Sequence, residues 1–155
     1  MSEDSGIKVP TAGACAFCDY LARRRPFTIL WQSDLAAILV TREQRGSTHL
    51  LALPVSHRPT ILDLQRAEAS ALMDAVVLSA RVLDAADRRP GIAIWQNNGT
   101  DVDQTIPHTH FHVASSLEDG GTERGEVVEL SVADTDAIAD RLRPRLADFV
   151  TPHAT

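Results

Sequence analysis

The stretch QTIPHTHFHVAS places histidine at 108, 110 and 112, half of the chain's six histidines within five residues. The run 107–113 reads as a strand, and a strand turns alternate side chains to opposite faces. His108, His110 and His112 then stand in a row on one face, about 6.5–7 Å apart by strand rise. Thr109, Phe111 and Val113 face the other way, and the last two can enter the core. A single histidine is most often a hydrogen-bonded surface or core residue. Three in strict alternation beside a Gly/Asn loop call for a chemical use, and two fit: metal ligation, or phosphate chemistry with an imidazole nucleophile.

The rest of the chain limits the setting. Its 155 residues suit one domain with a continuous core. Residues 1–13 read as a loose leader, 14–150 as the single domain and 151–155 as a tail that includes His153. The formal charge of −6 argues against a general nucleic-acid or membrane-surface binder, although a few local donors can hold a small anion against it. No apolar run approaches the roughly 20 residues of a membrane span. The polar opening MSEDSGIKVP shows no secretory signal, so a cytoplasmic protein is expected.

Periodicity gives the elements. FTILWQS and LAAILVTR are β-prone runs meeting near Ser33-Asp34 as a hairpin, EQRGS is a turn, and THLLALP is a strand stopped by Pro54. Thr60 is a candidate N-cap over Asp63. From Leu64 to Arg88, small and apolar residues at Ala71, Leu72, Ala75, Val76, Ser79, Val82, Leu83 and Ala86 keep the spacing of a one-faced helix, ended by RRPG. IAIWQ and PHTHFHV read as strands around the loop NNGTDVDQ, and EVVELSV as one more. ADTDAIADRLRPRLADFV has a helical pattern that Pro144 should kink or interrupt. The sum is an α+β domain, an antiparallel sheet of about five strands with one long helix and a C-terminal helix. Trp31 and Trp95 are read as core residues, and Arg23 to Arg25 as a solvated turn.

The only cysteines, Cys15 and Cys18, form CAFC. That spacing suits a metal half-site or a redox pair. No thioredoxin-like surroundings accompany it, which favours zinc completed by two histidines, a structural site because four protein ligands leave no open position.

Taken together, NNGTDVDQTIPHTHFHV resembles the signature of the histidine triad (HIT) superfamily of nucleotidyl hydrolases and transferases. CAFC is similar to the Cys-x-Phe-Cys opening of many bacterial members, and GSTHLLALPVSH to a family strand ending in Pro-x-x-His. The resemblance covers roughly residues 15–113. It implies a HIT-like fold and a homodimer whose sheets join across a two-fold axis. It also implies His110 as the nucleophile toward an α-phosphorus and a phosphate contact from His112, with His49 nearby. Asn97, Gln104 and Thr105 would orient phosphate oxygens or the leaving group, and Cys15, Cys18, His57 and His108 would hold Zn(2+). The substrate would be a nucleoside phosphoramidate or a dinucleoside polyphosphate.

The chemistry agrees with that division. An imidazole attacks only through a neutral nitrogen, and the charge on a phosphoryl centre is best met by preorganised donors. Three positions depart from the family pattern. Thr41 stands where an acidic residue usually grips the ribose, and Thr lacks the two acceptors of a carboxylate. Val102-Asp103 replaces a pair of small residues. Pro107, just before the triad, removes one backbone donor. The solvated loop is the plainer account of Asp101 and Asp103, a preference for a cationic leaving group the sharper one. Two other functions remain open on sequence grounds. One is a metal-dependent hydrolase with His108 and His110 or His112 ligating a catalytic zinc or iron. The other is a nucleotide-binding protein with little catalysis.

Overall fold

The two β-prone runs form β1 (Ile29–Gln32) and β2 (Ala36–Val40), joined as a hairpin at Ser33, whose amide donates to the Ala36 carbonyl at 2.8 Å. This computed structural model describes residues 5–11 and 13–150. The expected tail, His153 with it, and part of the leader lie outside the described residues. β3 (His49–Pro54), β4 (Ile92–Trp95) and β5 (Phe111–Ser115) complete an antiparallel sheet of five strands in the order β1-β2-β3-β5-β4.

Alternation along β2 and β3 feeds two apolar layers. Ile38, Val40, Leu50 and Ala52, with Val113 of β5, meet α2 (Arg66–Asp87) and α3 (Val132–Phe149) on one face of the sheet. Ala37, Leu39, Leu51 and Leu53 pack on the other face with Phe17 of α1 (Ala16–Leu21). Each fully buried aliphatic side chain is worth roughly 1.5–3 kcal/mol, so β2 and β3 are held from both sides and form a rigid floor. The long helix buries Leu72, Ala75, Val76, Ser79, Val82 and Leu83, the stripe its spacing predicts. It ends at Arg88, which takes the left-handed conformation (φ 53°). Thr60 caps a short 3-10 turn at Ile61–Asp63, its amide donating to Asp63 Oδ2 at 2.9 Å. Gly46 sits so close to β5 that a Cβ there would lie 2.2 Å from the Ser115 carbonyl oxygen.

Three elements differ from the sequence reading. The triad strand starts at Phe111, so His108 and His110 precede it. β3 pairs with β5 only over residues 111–114. Upstream, the Thr109 amide donates instead to the Arg58 carbonyl at 2.6 Å and the His108 amide to Ile106 at 2.8 Å. EVVELSV joins no sheet: Leu130 donates to the Arg42 carbonyl at 2.8 Å, Ser131 and Val132 already belong to the start of α3, and Val128 is 84% exposed. α3 runs unbroken through Pro144. Asp140, whose carbonyl loses its helical donor there, is exposed, so water can take that place. Leu146 still packs on the core beyond the proline, which holds the last turn in line.

Candidate active site and metal centre

Cys15 and Cys18 are set by α1 itself. Cys15 is the N-cap residue, and its Sγ accepts from the Cys18 amide at 3.4 Å, so both sulfurs face the same side of the first turn. His57 follows the end of β3. Its neighbour Arg58 is clamped by a two-pronged contact to Glu68 in the first turn of α2 (2.8–3.1 Å), and the Arg58 carbonyl receives both the amide and the hydroxyl of Thr109. This clamp brings His57 toward His108. The four ligand atoms of Cys15, Cys18, His57 and His108 lie within 4.8 Å of one another, the one such group among the described residues.

The spacing fits zinc. A tetrahedron with Zn–S near 2.3 Å and Zn–N near 2.05 Å has S···N edges of about 3.5 Å. The observed edges are 3.5 Å from Cys15 Sγ to His108 Nδ1, 3.6 Å from Cys18 Sγ to the same atom, and 3.3 Å from Cys18 Sγ to His57 Nδ1. His108 is fully buried, and its Nε2 lies 2.8 Å from the Pro54 carbonyl oxygen. A carbonyl only accepts, so Nε2 carries the proton and Nδ1 turns a lone pair to the sulfurs. Burial and the adjoining Cys15 push the Cys18 thiol up to about 12, a crowding that a divalent ion would relieve.

His110 has the opposite tautomer. Its Nδ1 lies 2.7 Å from the His108 carbonyl oxygen, so Nδ1 is the protonated nitrogen and Nε2 keeps its lone pair. Burial holds its pKa below the ordinary imidazole value. Phe17 meets its ring edge-on at 4.9 Å, and His112 does so from the other side, also at 4.9 Å. His112 stacks flat on Trp95 at 4.7 Å, and its Nδ1 is 3.0 Å from His49 Nε2. Burial lowers His49 to about 4 and His112 to about 2, so the pair is neutral at pH 7.

These rings stand between two chambers. A cleft of about 810 Å³ is lined by His110, His112, Asn97, Gln104 and Thr105. A smaller one of about 260 Å³ has Phe17, Tyr20, Phe27, Leu51 and Ile106 on its apolar side, with Thr41, His49, Thr105, His110 and His112 also facing it. Every residue that the sequence singles out for catalysis or nucleotide contact therefore lines one chamber or both. Gln104 is already committed. Its amide nitrogen donates to the Pro59 and Ile106 carbonyls at 2.7 and 3.0 Å, and its oxygen accepts from Gly99 at 2.7 Å, so it braces the loop that carries Asn97 and Thr105.

Sequence reasoning overlooked Glu43 and Arg45, which line both chambers, and Thr122 to Gly125, which line the larger one. Trp95, read as core, lines the large cleft as the platform under His112. Its place at the end of a strand, one residue before a polar loop, is the available signal. The positions of Arg45 and residues 122–125 depend on contacts across about 80 residues, and no local pattern announces them.

An imidazole with a free Nε2 at the mouth of a strand, facing two chambers, beside a histidine two residues earlier that turns to a Cys/His cluster, defines a class. The chain belongs to the HIT domain family, whose model matches residues 22–118. Over 104 residues it is 25% identical to adenylylsulfatase HINT3 of Arabidopsis thaliana, an alignment covering 67% of this chain and 53% of that protein, so the chain spans about half the length of that relative. Among solved structures, a Hit-like protein involved in cell-cycle regulation from Bartonella henselae has a TM-score of 0.80 at 18% identity, covering 89% of this chain and 99% of that one. A Zn-bound histidine triad family protein from Mycobacterium smegmatis has a TM-score of 0.70 at 20% identity, covering 88% and 95%. At these identities the structural likeness establishes a HIT-like fold. Among the described residues no helix is long and apolar enough to cross a membrane.

Proposed function

We propose that the protein is a nucleotidyl hydrolase or transferase that cleaves the bond between an α-phosphorus and its leaving group in nucleoside phosphoramidates or dinucleoside polyphosphates. The observation that carries this reading is the tautomer of His110. The carbonyl of His108 occupies Nδ1 and leaves Nε2 as the lone pair in a ring lining both chambers. The aromatic small chamber suits a planar base, with Thr41 able to offer the sugar one hydrogen bond. In the first step Nε2 of His110 bonds to phosphorus, the bond to the leaving group breaks, and the departing nitrogen or oxygen takes up a proton from a neighbouring donor such as His112 or from solvent. In the second step water supplies the new P–O bond, the P–Nε2 bond breaks, and the proton released by water replaces the one consumed. Asn97, Thr105 and His112 are the donors for the phosphate oxygens.

Zn(2+) would be held by Cys15, Cys18, His57 and His108, and its contribution would be structural, fixing α1 and the residue before the nucleophile. None of the remaining triad rings belongs to the four-ligand group, which favours this reading over a catalytic metal on the triad. A homodimer would use the open edge of β4, where Ile94 is 49% exposed. Nucleic acid and membrane are not expected partners. Rapid quenching with adenosine 5′-phosphoramidate, followed by mass spectrometry, should find AMP on His110. An active enzyme whose label sits on another residue, or that never acquires one, refutes the mechanism.

A further inference from the structure

The family match ends at residue 118, yet the site does not. Thr122, Glu123, Arg124 and Gly125 wall the large chamber, and Glu129 reaches the small one. This segment is fixed at both ends. Arg89 donates to the Ser116 and Leu117 carbonyls at 3.1 and 2.9 Å, ahead of a tight turn in which Gly120 and Gly121 both take positive φ. At the far end Ser131 caps α3.

Between those ends, two arginines from the turn after β2 hold it. Arg42 donates from Nε to the Leu130 carbonyl at 2.5 Å and pairs with Glu129 at 2.9 Å. Arg45 donates from Nη1 to the Gly125 carbonyl at 2.6 Å, and its own carbonyl accepts from the Glu123 amide at 2.7 Å. The Arg45 amide meanwhile lies 3.2 Å from His49 Nδ1, which the Glu43 carbonyl of the same turn approaches at 3.1 Å. One residue thus ties the segment to the histidine pair. No residue of 119–131 is buried, and an exposed ion pair or hydrogen bond contributes only modestly. Docking is therefore weak compared with the core.

We propose that residues 119–131 form a docked strap that selects the leaving group by size, with Arg45 as the residue that positions it. The inference rests on the nucleotidyl-transfer reading: if the base occupies the small aromatic chamber, the leaving group lies in the large one. There the strap gives a bulky amine a wall to contact, while an unsubstituted amide nitrogen is too small to reach it. The mixed charges of Glu123 and Arg124 make the wall a gauge of bulk, not of sign.

The test compares adenosine 5′-phosphoramidate with its N-tryptamine conjugate in the full chain, as wild type, Arg45→Ala and Arg45→Lys. The alanine variant should lower the ratio of kcat/KM (conjugate over unsubstituted) at least tenfold, mainly through KM, and lysine should restore part of it. Amide exchange over 119–131 should quicken in the alanine variant while α2 and β5 stay protected. An unchanged ratio despite a loosened strap overturns the proposal, as does a strap whose exchange ignores Arg45. Should wild-type His110 never become labelled, the catalytic reading fails by itself. The strap is then judged by the binding ratio of the non-cleavable adenosine 5′-carbamates of tryptamine and ammonia, which Arg45→Ala must lower if the strap selects.

Discussion

His108 and His110 are two residues apart and chemically identical, yet they serve different centres. His108 gives Nε2–H to the Pro54 carbonyl and aims Nδ1 at two sulfurs; His110 gives Nδ1–H to the His108 carbonyl and keeps Nε2. Which ring nitrogen meets a carbonyl decides whether the imidazole is fit to ligate or to attack. The carbonyls come from the end of β3 and from the bend before β5, so the backbone path assigns the two roles.

The sharpest way to break that comparison is to remove one ring at a time. His110→Ala should lower turnover on the order of 10³-fold or more while bound zinc, measured by elemental analysis, stays at the wild-type level. A parallel loss of metal would merge the two centres into one. Cys18→Ser should do the reverse, releasing zinc and costing several kcal/mol. Thermal unfolding should then show a fall in Tm of about 10 °C or more, with the wild type treated with a chelator behaving alike.

A third test uses pH. Burial lowers His49 from 6.5 to about 4, so the folded state binds its proton less readily than the unfolded chain does. Its contribution to stability is complete above pH 6.5 and is lost as pH falls through about 4, roughly 3 kcal/mol in all. Denaturation at pH 7 and pH 4.5 should show a smaller difference for His49→Gln than for wild type. An equal difference would mean that burial of His49 is not the cause. The smallest effect should come from Trp95→Leu, which removes the platform under His112 and about 1 kcal/mol of stacking. The expected outcome is a several-fold rise in KM without loss of zinc.

The sequence displayed the fold wherever burial imposed a period. β2 and β3 feed two layers in strict alternation, and α2 buries the stripe that its spacing predicts. It misled where partners are far away. EVVELSV reads as one more strand, but it pairs with none of the five, and the Arg42 side chain and a few backbone groups hold that stretch. The site was legible in its histidines because imidazole spacing carries chemistry. Arg45 was not, since its guanidinium reaches the Gly125 carbonyl across 80 residues of chain, and its amide and carbonyl contacts carry no residue-specific signal. Thr41 lines the small chamber as expected, but its hydroxyl accepts from the Glu43 amide at 3.2 Å, a backbone role that composition does not suggest.

Gly46 carries no functional group, and it still constrains what this protein can become. The turn bearing Glu43 and Arg45 rests directly on the Ser115 carbonyl, with no room for even a methyl group. Any side chain at 46 would lift the turn away from the sheet, because the atom it would meet is backbone. The residue least able to perform chemistry is therefore among those least open to replacement, and a library randomised at 46 should return glycine almost alone.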